Sequence, residues 1–314
     1  MHHSLRHSMC LGILAVGFGI LAGVGAAEAR VDTWVSPDGS DAGTCPSNAP
    51  CRTFAYAHSQ TNNNGSINVL ASGSFGALTI TKPISIVAQG VEALIVTGAG
   101  AGIIVQAPST AIVSLRGLTI DMRGSANPGV SFVSGRALHV RDCMIRRADN
   151  GIDFSPASGA PSLYVTDSVI ANSGDTGISI TPSGNADARA MLDGVRMENG
   201  LHGIVVAGNN TTGNVTATIR NSTASGGGAG VGISALGAGS GTTKVMVDRS
   251  VIANNFHGIF TSGANATIWI GDSTISGNAG IGFVSSGGAS ASYGTNQVNG
   301  NATDGAATTT AAHK

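Results

Sequence analysis

The stretch Leu163-Tyr-Val-Thr-Asp-Ser-Val-Ile-Ala-Asn-Ser-Gly-Asp-Thr-Gly-Ile178 decides the fold of this chain. It contains alternating apolar residues, a polar corner at Asp167, an aliphatic at Ile170, an Asn, and then Gly-Ile. Related units recur seven times from about residue 110 onward, spaced 23 to 28 residues apart. Strand-like alternation at so short a period, with no helical pattern, predicts a coil of stacked strands.

The register of the repeat can be read from Ile170 and its equivalents, which we call the anchors. Residues five and seven positions before the anchor are apolar in all seven units. Because strand side chains alternate with period two, both columns share the inward face. The anchors are Ile120, Ile145, Ile170, Met197, Ala224, Ile252, Ile275 and Val298; the column five before is Leu115, Val140, Val165, Leu192, Ile219, Val247 and Ile270; the column seven before is Val113, Leu138, Leu163, Ala190, Ala217, Val245 and Ile268.

Further inward strands complete each coil. One follows the Gly of each unit, from Ile152 and Phe154 to Ile281 and Phe283. Upstream alternating pairs, such as Leu94 and Val96, predict less regular first coils. A period near 25 residues suits three short strands and three turns, whereas propeller blades need about 40 residues and leucine-rich repeats need their own spacing.

The predicted fold is all-β: a single-stranded right-handed parallel β-helix, a solenoid of about ten rungs, with a short N-terminal capping helix. The predicted organisation is a signal peptide at 1–29, an N-terminal lead-in segment and cap at 30–65, the β-helix at 66–305 and a disordered tail at 306–314. No second domain is predicted.

The repeat units resemble those of a known group. Asp167–Ile178, Asp272–Ile281 and the related Arg249–Ile259 are similar to the CASH-type repeats of right-handed parallel β-helix proteins in the pectin-lyase-like superfamily. The opening stretch Trp34–Cys45, running into Pro50–Phe54, resembles secreted bacterial members. The resemblance spans roughly residues 31–305. It implies the fold but no single activity, since the superfamily includes lyases, hydrolases, epimerases and adhesins.

The N-terminal residues predict export. Arg6, the apolar run Leu11–Val24 and the small-x-small site Ala27-Glu-Ala29 are typical of a secretory signal, so we expect a secreted or periplasmic protein. An uncleaved anchor is the alternative, but the apolar run is short for a membrane span. The net charge of −1 leaves no basic stripe for nucleic acid. We expect a monomer that is not membrane-bound after signal cleavage.

The cysteines after the cleavage site indicate one crosslink. Cys45 and Cys51 flank a Pro-Ser-Asn-Ala-Pro loop, and an oxidising compartment favours a disulfide between them. A metal pair is the alternative, but no nearby Cys or His pair completes it, so no metal site is predicted. Cys143 falls where other units place Ser168, Ser222 and Ser250, which indicates a small buried residue rather than a nucleophile.

The outward columns of the first strand in each unit carry the candidate binding face. Rings and arginines alternate there with aspartates, an arrangement that suits a polyanionic or neutral glycan. An ordinary solvated face with Arg–Asp pairs is the alternative. The predicted ligand-binding residues are Arg116, His139, Arg141, Tyr164, Asp193, Arg220, Asp248 and Trp269.

The best catalytic candidates are Arg141, Asp142 and Asp167, which fall on adjacent corners. A uronic-acid lyase needs a base and a cation such as Ca²⁺, and a glycosidase needs two carboxylates roughly 5–10 Å apart. The adjacent Asp-Asp pair and Gly-His-Gly of pectin hydrolases are missing. Aspartate is also a favoured turn residue.

A recurring histidine and a recurring asparagine are predicted to have structural roles. His202 and His257 precede Gly-Ile two coils apart, about 10 Å by strand spacing, which is too far for one metal. An Asn follows the anchor by two or three residues and predicts a hydrogen-bonded ladder along the coil. Its predicted members are Asn172, Asn199, Asn254, Asn278 and Asn301.

The functional expectation is a secreted β-helix without catalysis that binds polysaccharide or presents a surface. A lyase or hydrolase acting on acidic glycans around Arg141, Asp142 and Asp167 is the first alternative. A structural or adhesive cell-surface protein is the second. No cofactor is expected. A bound Ca²⁺ is expected only if the protein is a lyase.

Overall fold

A computed structural model describes residues 32–312 of the protein. The predicted signal peptide lies outside the described residues. Within the described chain, no helix is long and apolar enough to cross a membrane.

Short strands and one short helix make up the described chain. In chain order they are β1 Thr33–Val35, α1 Phe54–Gln60, β2 Gly65–Val69, β3 Gly73–Ser74, β4 Leu78–Ile80, β5 Ile84–Val87, β6 Ala93–Val96, β7 Ile103–Gln106, β8 Ile112–Arg116, β9 Leu118–Asp121, β10 Val130–Ser134, β11 Ala137–Arg141, β12 Met144–Arg146, β13 Ile152–Phe154, β14 Ser162–Thr166, β15 Val169–Ala171, β16 Thr176–Ile180, β17 Ser183–Gly184, β18 Ala188–Asp193, β19 Arg196–Glu198, β20 His202–Ala207, β21 Asn210–Thr211, β22 Val215–Arg220, β23 Thr223–Ser225, β24 Val231–Leu236, β25 Thr243–Asp248, β26 Val251–Ala253, β27 His257–Ser262, β28 Ala266–Gly271, β29 Thr274–Ser276, β30 Phe283–Ser286, β31 Ala289–Ser292, β32 Gln297–Val298 and β33 Thr309–Thr310.

The strands form a right-handed parallel β-solenoid with three long sheets. Sheet I has twelve strands in the order β1-β2-β5-β8-β11-β14-β18-β22-β25-β28-β31-β33. Sheet II has ten strands from β3 to β32, and sheet III has nine from β4 to β30. Successive strands within a sheet are one coil apart in sequence, as the repeat predicted, and β17 pairs with β21 beside the coil.

The predicted register is confirmed. In sheet I, Val140 pairs with Leu115 on one side and with Val165 on the other. The same alignment continues through Leu192, Ile219, Val247 and Ile270, and all seven side chains of this column are at most 1 % exposed. The anchors pair likewise along sheet II, from Ile120 to Val298. The three inward faces therefore share one continuous core.

A column of glycines explains the Gly-Ile signature. A Cβ atom at Gly203 would lie 2.4 Å from the carbonyl oxygen of Gly232 and 2.8 Å from the Cβ of Ala224. The same clash with the next coil recurs along the whole column, whose members are Gly102, Gly129, Gly151, Gly177, Gly203, Gly232, Gly258 and Gly282. Each turn from sheet II into sheet III therefore packs too closely for a side chain.

The corner between sheets I and II is left-handed in every regular coil. Asp142 and Asp167 have φ of 52° and 48°, and Arg249 has φ of 44°. Asp, Asn and Gly tolerate this backbone best, which accounts for their frequency there. Aspartate at this corner is thus explained by the turn itself.

Serines directly after this corner form a buried ladder. The hydroxyl of Ser250 accepts a hydrogen bond from the amide of Ser222 at 3.2 Å and donates to the carbonyl of Asp248 at 2.8 Å. Ser222 and Ser273 make the equivalent bonds. The Cys143 thiol takes the same place and donates to the carbonyl of Arg141. The ladder satisfies turn amides that would otherwise be buried without partners.

The asparagine ladder exists and includes the predicted Asn278 and Asn301, but Asn255 takes the place predicted for Asn254. Asn255, Asn278 and Asn301 are linked through their side-chain amides, at 3.2 Å and 2.7 Å, and Asp304 ends the row. The predicted Asn172, Asn199 and Asn254 lie one residue earlier in their coils and have φ of 56° to 58°. The sequence prediction therefore combines two neighbouring columns of asparagines. One column has left-handed backbone, and the other forms the ladder.

Three residues predicted to face inward do not: Leu94, Val96 and Ile281. In β6 the buried residues are Ala93 and Ile95, whereas Leu94 and Val96 are half-buried. At the last unit, Phe283 rather than Ile281 pairs with Ile259. The reason is that Gly282, and not Gly280, stands in the close-packed glycine column.

The N-terminal segment is fastened to the first coils. The predicted disulfide is present between Cys45 and Cys51, and it lies beside Trp34, whose amide donates to the carbonyl of Cys45 at 2.8 Å. Helix α1 contacts β1, β2 and β4 and buries Phe54, Ala57 and His58. Its role as a cap of the coil stays a prediction.

The tail predicted to be disordered instead joins sheet I as far as it is described. Strand β33 pairs with β31, and Thr308 exchanges hydrogen bonds with Ser290. The apolar content of this tail is low, but backbone pairing with an open sheet edge is enough to order it.

Candidate functional site

The outer face of sheet I gathers the predicted binding residues. Register places His139 beside Tyr164, and Arg116 beside Arg141. Further along, Asp193 lies beside Arg220, Arg220 beside Asp248, and Met246 beside Trp269. Since adjacent strands are about 4.8 Å apart, one chemical feature recurs per coil along the axis.

The ring column is partly exposed. His139 and Tyr164 are stacked, with ring centroids 4.6 Å apart and planes 10° from parallel. Tyr164 and Met191 are 38 % and 37 % exposed, unusually high for large apolar side chains. Burial of one imidazole face lowers the pKa of His139, which favours the neutral ring.

The arginines and aspartates of this face form ion pairs. Arg116 and Arg141 both approach Asp142, at 3.2 Å and 3.5 Å from their Nε atoms to Oδ2. Arg220 reaches Asp193 at 2.8 Å, and the corner residue Arg249 reaches Asp248 at 2.9 Å. Bonds from Asn221 and Arg220 lower the pKa of Asp193. Each exposed pair contributes no more than about 1 kcal/mol, but together they neutralise most of the face.

The predicted catalytic group is only partly assembled. Asp142 and Asp167 occupy equivalent corners of adjacent coils, and Arg141 lies beside the first. The Asp142 carboxylate is held by two guanidinium groups, those of Arg116 and Arg141. Asp167 makes no ion pair within the described residues.

A groove lies at the other end of the face, in the last coils. Its volume is about 380 Å³, and it spans four coils of sheet I and the adjoining corner. The residues that line it are Thr218, Arg220, Met246, Val247, Asp248, Arg249, Gly271, Asp272, Tyr293 and Thr295. Of these, the sequence predicted only Arg220 and Asp248 as binding residues.

Gly271 lets the Tyr293 ring pack close to sheet I in the groove. It follows Asp248 in an outward column whose other members carry side chains. A Cβ atom there would lie 3.1 Å from Cδ2 of Tyr293, so that ring packs above the glycine. The glycine was a visible signal in the sequence, but the position of Tyr293 depends on an irregular last coil.

A second arginine cluster lies on another corner and serves the fold. Asp121 is buried, and it binds Arg146 at 2.9 Å and also Arg147. The hydrogen bond from Arg147 holds the pKa of Asp121 below its usual range. A buried carboxylate needs such partners, which accounts for both arginines.

The remaining reactive side chains have structural partners. Burial raises the pKa of the Cys143 thiol to about 11, so the nucleophilic thiolate is disfavoured at neutral pH. Nδ1 of His202 accepts from the amide of Val231, and Nδ1 of His257 accepts from the amide of Ile281, both at 3.0 Å. No three His, Cys, Asp or Glu side chains among residues 32–312 are grouped to hold a metal ion.

The coil defines the fold class of this chain, which is a right-handed parallel β-helix. The structure is similar to a crystal structure of pectate lyase Pel9A, with a TM-score of 0.62 and 17% sequence identity over 88% of this chain and 79% of that one. It is also similar to a rhamnogalacturonan lyase, with a TM-score of 0.60 and 13% identity over 78% and 74% of the two chains.

At these identities the likeness establishes the fold alone. No protein-family model matches the sequence, and no curated protein matches it either.

Proposed function

We propose that the protein is a secreted, non-catalytic β-helix that binds polysaccharide along the outer face of sheet I. The observation that carries the proposal is the face itself, where exposed rings stand beside guanidinium and carboxylate groups in register. Sugar rings stack on aromatic faces, and sugar hydroxyls bond to paired Arg and Asp. The Cys45–Cys51 disulfide supports an oxidising compartment, and therefore export.

The charge pairing favours binding over catalysis. A hydrolase needs two carboxylates that are free to act on the glycosidic bond, and Asp142, Asp193 and Asp248 are each tied to an arginine. The exposed guanidinium groups remain available to donate to sugar oxygens.

A polysaccharide lyase is the second candidate. Both solved structures described above are named as lyases, and Arg141 is 57 % exposed beside Asp142. In that function Arg141 would be the candidate base, and acidic glycans would be the substrates. Ca²⁺ would be required only in this case.

Incubation with a panel of acidic and neutral glycans, with and without Ca²⁺, separates these functions. We expect thermal stabilisation by at least one glycan, without new absorbance at 232 nm and without new reducing ends. Absorbance at 232 nm would establish a lyase, and reducing ends alone a hydrolase. An unchanged melting temperature with every glycan would favour the structural or adhesive alternative.

Two variants locate the binding face. Tyr164→Ala and Arg141→Ala should each weaken glycan binding several-fold. Arg196→Ala is the matched control, because Arg196 is a similarly exposed arginine that pairs with Glu198 on sheet II. If both sheet I variants bound like the unaltered protein, the proposed face would be wrong.

A further inference from the structure

The groove in the last coils holds paired arginines and one carboxylate that makes no ion pair among residues 32–312. Of its two arginines, Arg220 pairs with Asp193 and Arg249 pairs with Asp248. Asp272 also lines it, is exposed, and makes no ion pair within the described chain. The groove therefore offers a carboxylate without a cation partner, whereas both of its guanidinium groups already form ion pairs with aspartates.

This balance disfavours an acidic sugar. A uronate carboxylate in the groove would lie near Asp272, and it would meet guanidinium groups whose charge Asp193 and Asp248 already offset. Like charges at close range cost free energy, and exchange of one ion pair for another gains little. Neutral hydroxyl groups can instead donate to Asp272 and accept from the outer guanidinium atoms without breaking either pair.

The shape of the groove suits a ring. Gly271 forms the floor without a side chain, so the Tyr293 ring packs directly above it and lines the groove. The amide of Tyr293 donates to the carbonyl of Ile270 at 3.0 Å, which fixes the residue as the continuation of the sheet. The C–H face of a sugar packs well on such a ring.

The length of the groove sets the size of the ligand. Four coils contribute to its lining, from Arg220 to Tyr293. Three intervals of about 4.8 Å give roughly 14 Å along the axis. Its volume falls at the low end of the range of roughly 300–1,000 Å³ found for small-molecule sites, which fits a short stretch of chain.

We infer that this groove is the anchoring subsite for a neutral sugar unit of the bound polysaccharide, with Tyr293 as the platform, Gly271 as the floor and Asp272 as the hydroxyl acceptor. The inference rests on the proposed function. It adds a defined position on the face and a substrate class: neutral rather than acidic glycan.

Calorimetric titration with neutral and acidic oligosaccharides tests the inference. The probes are hexasaccharides of glucose, mannose, xylose and galactose on one side, and of galacturonate and mannuronate on the other. We expect a neutral oligosaccharide to bind most tightly. Gly271→Val should fill the floor and weaken that binding about tenfold or more, and Tyr293→Ala should act similarly.

Met144→Ala is the control for both variants, because Met144 is exposed on sheet II, away from the proposed binding face, and lies outside the groove. Its affinity for the neutral ligand should remain closest to that of the unaltered protein. Thermal unfolding of each variant shows whether the coil is intact.

Asp272→Asn gives a readout that does not depend on fold stability. Asn tolerates the left-handed backbone at this corner, where φ is 48°. Removal of the charge should lower the ratio of neutral to acidic affinity by about tenfold. An unchanged ratio would overturn the role of Asp272.

The outcomes separate the two proposals. Binding of acidic glycans only, or neutral binding that Gly271→Val and Tyr293→Ala leave intact, would overturn the neutral subsite and leave polysaccharide binding standing. The absence of binding to any glycan in the panel would overturn both.

Discussion

At the scale of single residues, His58 links stability to pH. It lies in the last turn of α1, where its Nε2 accepts from the amide of Thr81 at 3.3 Å. Burial, together with the smaller effect of the nearby Lys82 charge, lowers the pKa of His58 to about 4. The folded protein therefore keeps this imidazole neutral at pH values where the unfolded chain protonates it.

We predict that the free energy of unfolding falls as the pH is lowered from 6.5 to about 4. The unfolded state binds the proton first, so the contribution is complete above the unfolded pKa and is lost towards the folded one. At about 1.4 kcal/mol per pKa unit, the loss is roughly 3 kcal/mol. Urea unfolding at a series of pH values measures it.

His58→Gln isolates this contribution from other titrating groups. Glutamine keeps an acceptor for the Thr81 amide but does not titrate. The difference in unfolding free energy between the two proteins should shrink as the pH falls from 6.5 to about 4. A constant difference across this range would show that His58 is not the group responsible.

The close-packed glycine column makes a second prediction at this scale. Gly203→Ala should destabilise the protein by roughly 1–3 kcal/mol or more, because the new methyl group meets backbone of the next coil. Gly228→Ala is the control, since no atom lies within 4 Å of its Cβ position. That variant should be neutral or stabilised by up to about 1 kcal/mol. Equal melting temperatures for the two variants would contradict the packing argument.

At the scale of elements, the two asparagine columns have different structural roles. The Asn278 side chain bonds to Asn301, to Asn255 and to the carbonyl of Ile252, all within the coil. Asn254 is exposed and lies one column away, where the backbone is left-handed. The same residue type thus fills two unrelated structural needs.

We predict that Asn278→Ala lowers the free energy of unfolding by about 2–4 kcal/mol, because it leaves buried amide and carbonyl groups without partners. Asn254→Gly should change it by less than about 1 kcal/mol, since glycine accepts φ of 58°. Denaturant unfolding of both variants checks the contrast. Similar losses would mean that the ladder contributes little beyond the turn.

The regular strands could be predicted because the alternation of their side chains is a local sequence signal. Alternation with period two fixes which side chains face inward, so the column from Leu115 to Ile270 followed directly from counting. The errors occurred where that signal weakens. The Leu94 strand has apolar residues on both faces, and the last coil offers Gly280 and Gly282 as competing matches.

The candidate site was predictable only in part. Outward positions on sheet I follow from the same alternation, so Arg141, Tyr164 and Arg220 could be placed on one face. The groove could not, because it needs both an absent side chain at Gly271 and a ring contributed by Tyr293 from an irregular turn. The ion pairs also depend on side-chain conformations that the repeat does not encode.

At the scale of the whole molecule, each coil contacts mainly its neighbours. Stability in such an array is a sum of coil and interface terms, so damage at one end need not spread. The Cys45–Cys51 disulfide lies at the N-terminal end, beside β1. It closes a short loop with a sequence separation of 6 residues.

We predict that reduction of this disulfide lowers the stability of the first coils by about 2 kcal/mol, the loop entropy that the crosslink removes from the unfolded chain. Hydrogen exchange should quicken at the amides of Trp34 and Cys51 and in β2, and stay slow in β22 to β28. A Cys45→Ser, Cys51→Ser double variant should behave like the reduced protein. Uniform loss of protection along the coil would contradict the local picture.

Residues 303–312 return to the last coil, where Ile281 bridges to Thr303 and β33 lies on the edge of sheet I with only two residues. An unfinished stack of parallel strands is a template on which another chain can grow, in the manner of a fibril. The strand β33 offers only two residues for such pairing. We therefore expect this edge of sheet I to be a poor template for a second copy of the chain.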